Sequence, residues 1–371
     1  MTASKIEWTD RSDWNPIRGC TRVSPGCVNC YAEAIAGRFS GPDQPFHGYA
    51  TKKGGEARWT GKVEVVWHRE TLPLNWTKAA RIFASSTSDF FHPGFDLIDV
   101  AELFGVMIAA HHLRGHTLQV LTKRADRMRE ALLREDFWEH ANIAAERHVM
   151  ARTDPLDRRQ GDARATLDDY SPDNPPPGIW LGVSVEDQQR AAERVPDLRA
   201  TPAAVRWISA EPLLGPVDLT DFADGTALDP ECWGDCDCDS VFGYDPGCRS
   251  HGGDGSLTRK IDWVVCGGES GPNARPMHPD WARALRDQCA EACVPFFFKQ
   301  WGSYATLFDR DHDDPDWRNC GQWEHRHPKG RWLNLAGGTG FHGDRVVYVD
   351  PVGKKAAGRL LDGREWSEFP A

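Results

Sequence analysis

The sequence predicts an α/β protein, a full or partial (β/α) barrel of parallel strands interrupted by two loop insertions. Three observations carry this expectation. Short apolar runs rich in β-branched and aromatic residues alternate with amphipathic segments of helical length. The alternation continues from about residue 81 to residue 299, which suits repeated βα units. Nearly every apolar run ends in polar or charged side chains.

In chain order, a short strand around Trp14–Arg18 comes first, so that the loop after it is the first βα loop. Gly61–Trp67 reads as an extra strand at an edge. The repeating strands follow at Arg81–Thr87, Thr117–Thr122, Ile179–Ser184, Val205–Ser209, Ile261–Cys266 and Val294–Lys299. Helices are expected over Leu97–His112, Arg124–Leu133, Gln188–Ala200 and Asp280–Ala292; the last carries Trp281, Leu285, Gln288 and Ala292 at helical spacing. Residues 150–178 are polar, end in DNPPPG and read as a mobile surface excursion. Residues 222–259 form a second, cysteine-rich insertion. From Phe341 onward the chain reads as a strand, a turn and a basic stretch. The expectation is one barrel-like domain over residues 1–371.

Composition narrows the class. The 371 residues are 40% hydrophobic and 27% charged, the balance of a globular chain with a sizeable core. A formal charge of -11 argues against a surface built to grip long DNA, while leaving room for a local basic cleft. The N-terminal stretch lacks a signal-peptide core and no run is long enough to span a bilayer, so a cytoplasmic, membrane-free protein is expected. In a reducing compartment the 11 cysteines read as metal ligands or free thiols rather than a disulfide framework.

Each repeating strand delivers polar groups at its end: Ser88 and Asp89, then Lys123 and Arg124, Ser184 and Glu186, Ser209 and Glu211, Gly267 to Ser270, and finally Lys299 with Gln300 and Trp301. Any one of these reads as a helix cap or surface charge. Six in a row match an active site at the C-terminal mouth of a barrel.

Cys20, Cys27 and Cys30 stand in CTRVSPGCVNC, a C-x6-C-x2-C spacing folded by a Ser-Pro-Gly turn. Three thiolates leave one position of a tetrahedral metal or an iron–sulfur cluster open to a substrate or cofactor. A second group, Cys232, Cys236, Cys238 and Cys248 with His251 nearby, supplies enough ligands for zinc or an auxiliary cluster and equally reads as a glycine-rich loop with free thiols. Cys266, Cys289, Cys293 and Cys320 read as core or incidental thiols.

The order of motifs resembles the phage-type branch of the radical S-adenosylmethionine superfamily, a branch of unknown function. The resemblance rests on IEWTD, WNPIRGCTRVSPGCVNCYAE, SSTSDFFH, LTKRADRM, GVSVEDQ, WISAEPLLGPVDL, IDWVVCGGESG, PFFFKQWG and GKKAAGRLLDGREW. It implies a [4Fe–4S] cluster on Cys20, Cys27 and Cys30, with S-adenosylmethionine on the fourth iron. The superfamily's best-known spacing is C-x3-C-x2-C, so the first gap here is longer, and Asn29 stands where an aromatic residue is common. The resemblance also implies an electron donor such as flavodoxin or ferredoxin, and in some members a small partner protein. On this reading Glu211 or Glu269 accepts hydrogen bonds from the cofactor, Gly267 and Gly268 allow its close approach, and Ser184 or Ser209 binds its ribose or carboxylate, with Glu186 and Ser270 in the same set. Lys123 and Arg124 would bind an anionic group, and Asp89 and Lys299 would face the substrate. A nucleic acid or nucleotide is a candidate substrate, as is a peptide. The competing reading is a non-catalytic zinc protein that binds nucleic acid or a partner through its cysteine loops.

Overall fold

Alternating apolar runs and helices place successive strands side by side when every crossover turns the same way. A computed structural model of the chain, which describes residues 4–153, 167, 169–222, 225–228, 260–309, 321–340 and 343–371, has that arrangement. The N-terminal third contains β1 (Ile17–Arg18), α1 (Tyr31–Arg38), β2 (Ala50–Lys53), β3 (Glu56–Trp59), β4 (Glu64–Val65) and β5 (Arg81–Ala84). Then come α2 (Leu97–Arg114), β6 (Thr117–Thr122), α3 (Ala125–Leu132), α4 (Glu135–Met150), β7 (Ile179–Ser184), α5 (Gln188–Ala200) and β8 (Val205–Ala210). The chain finishes with β9 (Trp263–Gly267), α6 (Pro279–Glu291), β10 (Phe296–Gln300), β11 (Ala305–Asp309), α7 (Gly321–Arg326), β12 (Arg331–Leu333), β13 (Val347–Asp350) and α8 (Lys354–Ala357).

Strands β5 to β10 form one six-stranded sheet in sequence order, a parallel half-barrel flanked by helices. The fold class is therefore α/β, as the strand–helix alternation predicts. Its strands are buried on both faces, which is why they read as continuous apolar runs. By its contacts the chain divides into two compact units, residues 1–183 with 200–206, and residues 184–199 with 207–371.

In the first unit α2 starts where the Asp96 carboxylate accepts the Ile98 N–H (3.0 Å) and stops at Gly115 in the left-handed region. Its Phe104 meets Phe91, Phe137 and Trp138 edge-on, joining α2 to α4. The strand expected over Trp14–Arg18 shrinks to Ile17–Arg18 and stands outside the six-stranded sheet, so the cysteine loop is not the first βα loop of that sheet. Residues 10–14 run beside β5, with Phe83 N–H donating to Arg11 O (2.8 Å) and Ser85 N–H to Trp14 O (2.9 Å), while Ile17–Arg18 pairs antiparallel with β4. The edge strand expected over Gly61–Trp67 shrinks to β4. Of the proline-rich excursion, the described part is held in place: Asn142 on α4 exchanges hydrogen bonds with the backbone of Tyr170.

In the second unit Trp207, Trp263, Phe297 and Phe369 pack in tilted and edge-on pairs, with Trp263 and Phe369 ring centres 5.2 Å apart. Residues 366–368 lie antiparallel along β10, Phe298 N–H donating to Trp366 O (3.0 Å). The antiparallel sheet β11-β13-β12 has its own small core of Trp332, Val346 and Tyr348. Cys266 and Cys289 are buried free thiols, whereas Cys293 is disulfide-bonded rather than an incidental thiol. Cys320, and the group Cys232, Cys236, Cys238, Cys248 and His251, lie outside the described residues. Among the described residues no helix is long and apolar enough to cross a membrane.

A charge network ties α6 to the small sheet. Asp280 accepts from Arg345 Nε (2.7 Å) and Arg283 Nη1 (2.8 Å), and Arg283 also reaches Asp309 and Asp362. Burial would raise the Asp280 carboxyl, but its hydrogen bonds to Arg345 and Arg283 win and hold it at about 2. A depressed carboxylate contributes stability that is complete above the usual value of 3.8 and is lost as pH falls toward 2. Asp280→Asn is expected to cost about 1–2 kcal/mol at neutral pH, after allowing for solvent screening of a partly exposed group. The gap to the native protein should close between pH 4 and pH 2 in urea titrations, and a pH-independent gap would contradict it.

Candidate functional site

The cysteine loop is fastened to the C-terminal ends of β5 and β6. Ser88, just past β5, donates its hydroxyl to Gly19 O, and the Tyr31 hydroxyl donates to Ser86 O. Arg124, just past β6, reaches back with Nη2 to Thr21 O (3.2 Å) and Thr21 Oγ1 (2.9 Å). Inside the loop the Pro25–Cys27 turn closes with Cys27 N–H donating to Ser24 O (2.9 Å). Cys30 then caps α1, and the amides of Glu33 and Ala32 face its sulfur.

Asp89 organises this end of the sheet. Its Oδ1 accepts from Thr122 Oγ1 (2.7 Å) and Phe91 N–H (3.0 Å), and its Oδ2 from Lys123 N–H (3.1 Å) and Arg124 Nη1 (2.7 Å). The Asp89–Arg124 pair is buried, its side chains only 8% and 9% exposed. His92 completes the clamp. Its Nδ1 accepts the Gly94 N–H (3.1 Å), so Nε2 carries the proton and donates to Thr21 Oγ1 (2.9 Å). Burial first and the Arg124 charge second push His92 down to about 4, so the ring is neutral at ordinary pH.

The three sulfurs sense one another. Burial raises the Cys20 thiol to about 12, the Asp89 and Cys30 charges add to that, and Arg124 opposes it by charge and by a hydrogen bond. Cys30 is raised by burial and by Cys27, and eased by backbone amides and by Lys123. Arg22, held by the buried carboxylate of Glu33, feels the charges of Cys30 and Cys27. The loop thiols thus lie within electrostatic reach of Arg22, Lys123 and Arg124.

This donor set suits a soft cationic centre. Burial disfavours bare thiolates, and a metal charge reverses that penalty. Among the described residues no three histidine, cysteine, aspartate or glutamate side chains converge tightly enough for a single metal ion. A four-iron cluster would spread its thiolates around a larger body than one ion does.

In the second unit the strand-end groups are drawn into pairs. Glu211, after β8, accepts both Lys299 Nζ contacts (2.7 and 2.9 Å). Glu269, after β9, is gripped by Arg275 through Nε (2.9 Å), Nη2 (2.6 Å) and its backbone N–H (2.8 Å). Glu186, after β7, is fully buried against Arg194 (2.9 Å), which also donates to Ser184 O (2.7 Å). Ser184 and Ser209 are buried, and Ser270 is exposed.

Gly268 makes its close approach to the chain itself. A Cβ on Gly268 would sit 2.2 Å from Trp301 O, and its N–H donates to Gln300 O (2.9 Å). The close approach is to the backbone after β10, and Gly302, at φ +81°, makes the matching contact with Glu269 O. Gly268→Ala is expected to cost about 3 kcal/mol or more by overpacking two backbones. A urea midpoint within error of the native one would refute that account.

Arg22, Thr21, His92 and Glu33 are absent from the sequence-predicted site. Arg22 was visible as a cation between two of the cysteines. Thr21 and His92 carried no local signal, because they meet across 71 positions of chain.

A family profile described as "Protein of unknown function (DUF5131)" matches residues 3–370. No curated protein and no solved structure matches the chain.

Proposed function

The chain belongs to the DUF5131 family of proteins of unknown function, and from that premise we propose that it is a radical S-adenosylmethionine enzyme. The observation that carries the reading is that the loop bearing Cys20, Cys27 and Cys30 is fastened to the ends of β5 and β6 by Ser88, Ser86 and the buried Arg124. When bound, a [4Fe–4S] cluster with S-adenosylmethionine supplies one-electron cleavage of the sulfonium and a 5′-deoxyadenosyl radical.

The protein's part is holding and shielding. Cys20, Cys27 and Cys30 would be the cluster ligands. Arg124 steadies the loop through Thr21 and offsets the charge at Cys20, while Asp89 fixes Arg124 so that the guanidinium cannot swing away. Neutral His92 holds Thr21 without adding a further charge. Lys123 offsets the charge at Cys30 and supplies the cation a substrate anion would meet.

The test is anaerobic reconstitution with iron and sulfide, metal analysis, then incubation with S-adenosylmethionine and dithionite. Brown protein with about four irons per chain that releases 5′-deoxyadenosine is the expected result. Colourless protein holding only zinc, or iron-loaded protein that leaves S-adenosylmethionine intact, would overturn it.

A further inference from the structure

The starts of α2 and α4, with Arg127 of α3, enclose a cavity of about 360 Å³. No residue of the cysteine loop lines it. Its size lies at the lower end of the range of small-molecule pockets, about 300–1,000 Å³. Five lining residues are apolar: Phe95, Leu97, Ile98, Ala101 and Phe137. Phe95 and Phe137 are 5% and 3% exposed, and Phe137 is braced edge-on by Phe104 (5.2 Å) and Trp138 (5.6 Å), so this wall is held in place. Ile98, by contrast, is 55% exposed, and Leu133, the chain neighbour of the lining residue Arg134, is 50% exposed. Apolar side chains left in water beside a concave, largely apolar surface mark a place for a ligand.

The charges of the lining select what enters. Asp136 is taken by Arg134, whose Nε and Nη2 meet its two oxygens at 2.9 and 2.6 Å. Asp96 uses Oδ1 to accept the Ile98 N–H and faces the positive end of α2. His140 is anchored through Nδ1 on the Asp136 carbonyl (2.7 Å). Arg127 is different. Its Nη2 is fixed on Phe95 O (2.6 Å), its Nε is buried with no hydrogen-bond partner, and no ion pair among the described residues includes it. A partly buried guanidinium without a counter-charge is unfavourable, and its planar fork matches a carboxylate.

We propose that this cavity binds a small aromatic carboxylate, its anionic end on the Arg127 guanidinium and its flat body against Phe95, Leu97, Ile98 and Phe137. The site requires no cluster, so it stands apart from the radical chemistry proposed above. It does touch the clamp on the cysteine loop. The Phe95 N–H donates to His92 O (3.0 Å), and the two rings meet edge-on.

The test titrates the full-length protein calorimetrically with 2-naphthoate and with 2-naphthamide, its uncharged counterpart of nearly the same shape. Arg127→Met keeps an apolar stem and removes the charge. Ile98→Glu places an acid at an exposed position in the first turn of α2, where the helix tolerates it and an entering anion does not. The native protein is expected to bind naphthoate about tenfold or more tightly than naphthamide. That preference should vanish in Arg127→Met, and Ile98→Glu should weaken naphthoate more than naphthamide. Melting of each variant without probe separates lost binding from lost folding, and Ile98→Glu carries the test if Arg127→Met does not fold. The proposal is overturned if the native protein binds neither probe with a Kd below about 1 mM, or binds both equally. Naphthoate binding that survives unchanged in a folded variant overturns it too, because the probe would then sit elsewhere.

Discussion

Cys27→Ala is expected to leave no bound iron or sulfide above background after anaerobic reconstitution, and to lower 5′-deoxyadenosine release by at least about 100-fold. Removing even a residue that only supports a metal ligand costs about 10–100-fold, and removing a ligand costs more. Cys27 is the most informative of the three positions because it is only 8% exposed and sits on the closed Pro25–Cys27 turn. The loop's anchors at Gly19, Thr21 and Tyr31 do not involve its sulfur, so the variant should fold and melt like the metal-free native protein. Unchanged iron in this variant would remove the cysteines from the site.

Asp89→Asn should destabilise the protein by about 3–5 kcal/mol, the usual cost of leaving one member of a buried ion pair alone. The carboxylate accepts four donors, two on each oxygen. An amide has one oxygen, so whichever way it turns, its NH2 faces two donors and Arg124 keeps an uncompensated charge in a site 9% exposed. Denaturant unfolding of the single variant and of Asp89→Asn with Arg124→Met reads this directly. The double variant should recover part of the loss, since no buried cation remains to be satisfied. A single variant that costs less than about 1 kcal/mol would show that the pair is solvated and does not brace the loop.

How far these features could be read from sequence depended on the range of the interaction. Five of the six sheet strands lie within about two residues of their expected bounds, because burial on both faces leaves an uninterrupted apolar run. The first of the six stops at Ala84, short of Thr87, as Ser85 adopts a positive φ and the chain turns away. Helix α5 has its expected bounds, while α4 was not expected. Its apolar positions, such as Phe137, Trp138, Ala141 and Ala145, are interleaved with charges that mask them until α2 is there to bury them. The β2–β3 hairpin and strands β11 and β12 were also missed, since short half-exposed strands have no strong pattern of their own, whereas β13 is the strand expected after Phe341.

At the candidate site the residue types were visible and their partners were not. Asp89, Lys123 and Arg124 were recognised as strand-end groups, but nothing local indicates that the first would hold the third, or that Arg124 would turn toward Thr21. The carboxylates Glu186, Glu211 and Glu269 were likewise legible as a set, whereas their separate cations Arg194, Lys299 and Arg275 are a property of the fold. Gly268 was read as a place for a ligand to come near, and the neighbour turns out to be the chain itself.

Both margins of the six-stranded sheet are hemmed, β5 by residues 10–14 and β10 by residues 366–368. Neither flank therefore offers a row of vacant amides and carbonyls on which a second molecule could extend the sheet. Growth into strand-on-strand polymers is foreclosed at those two borders.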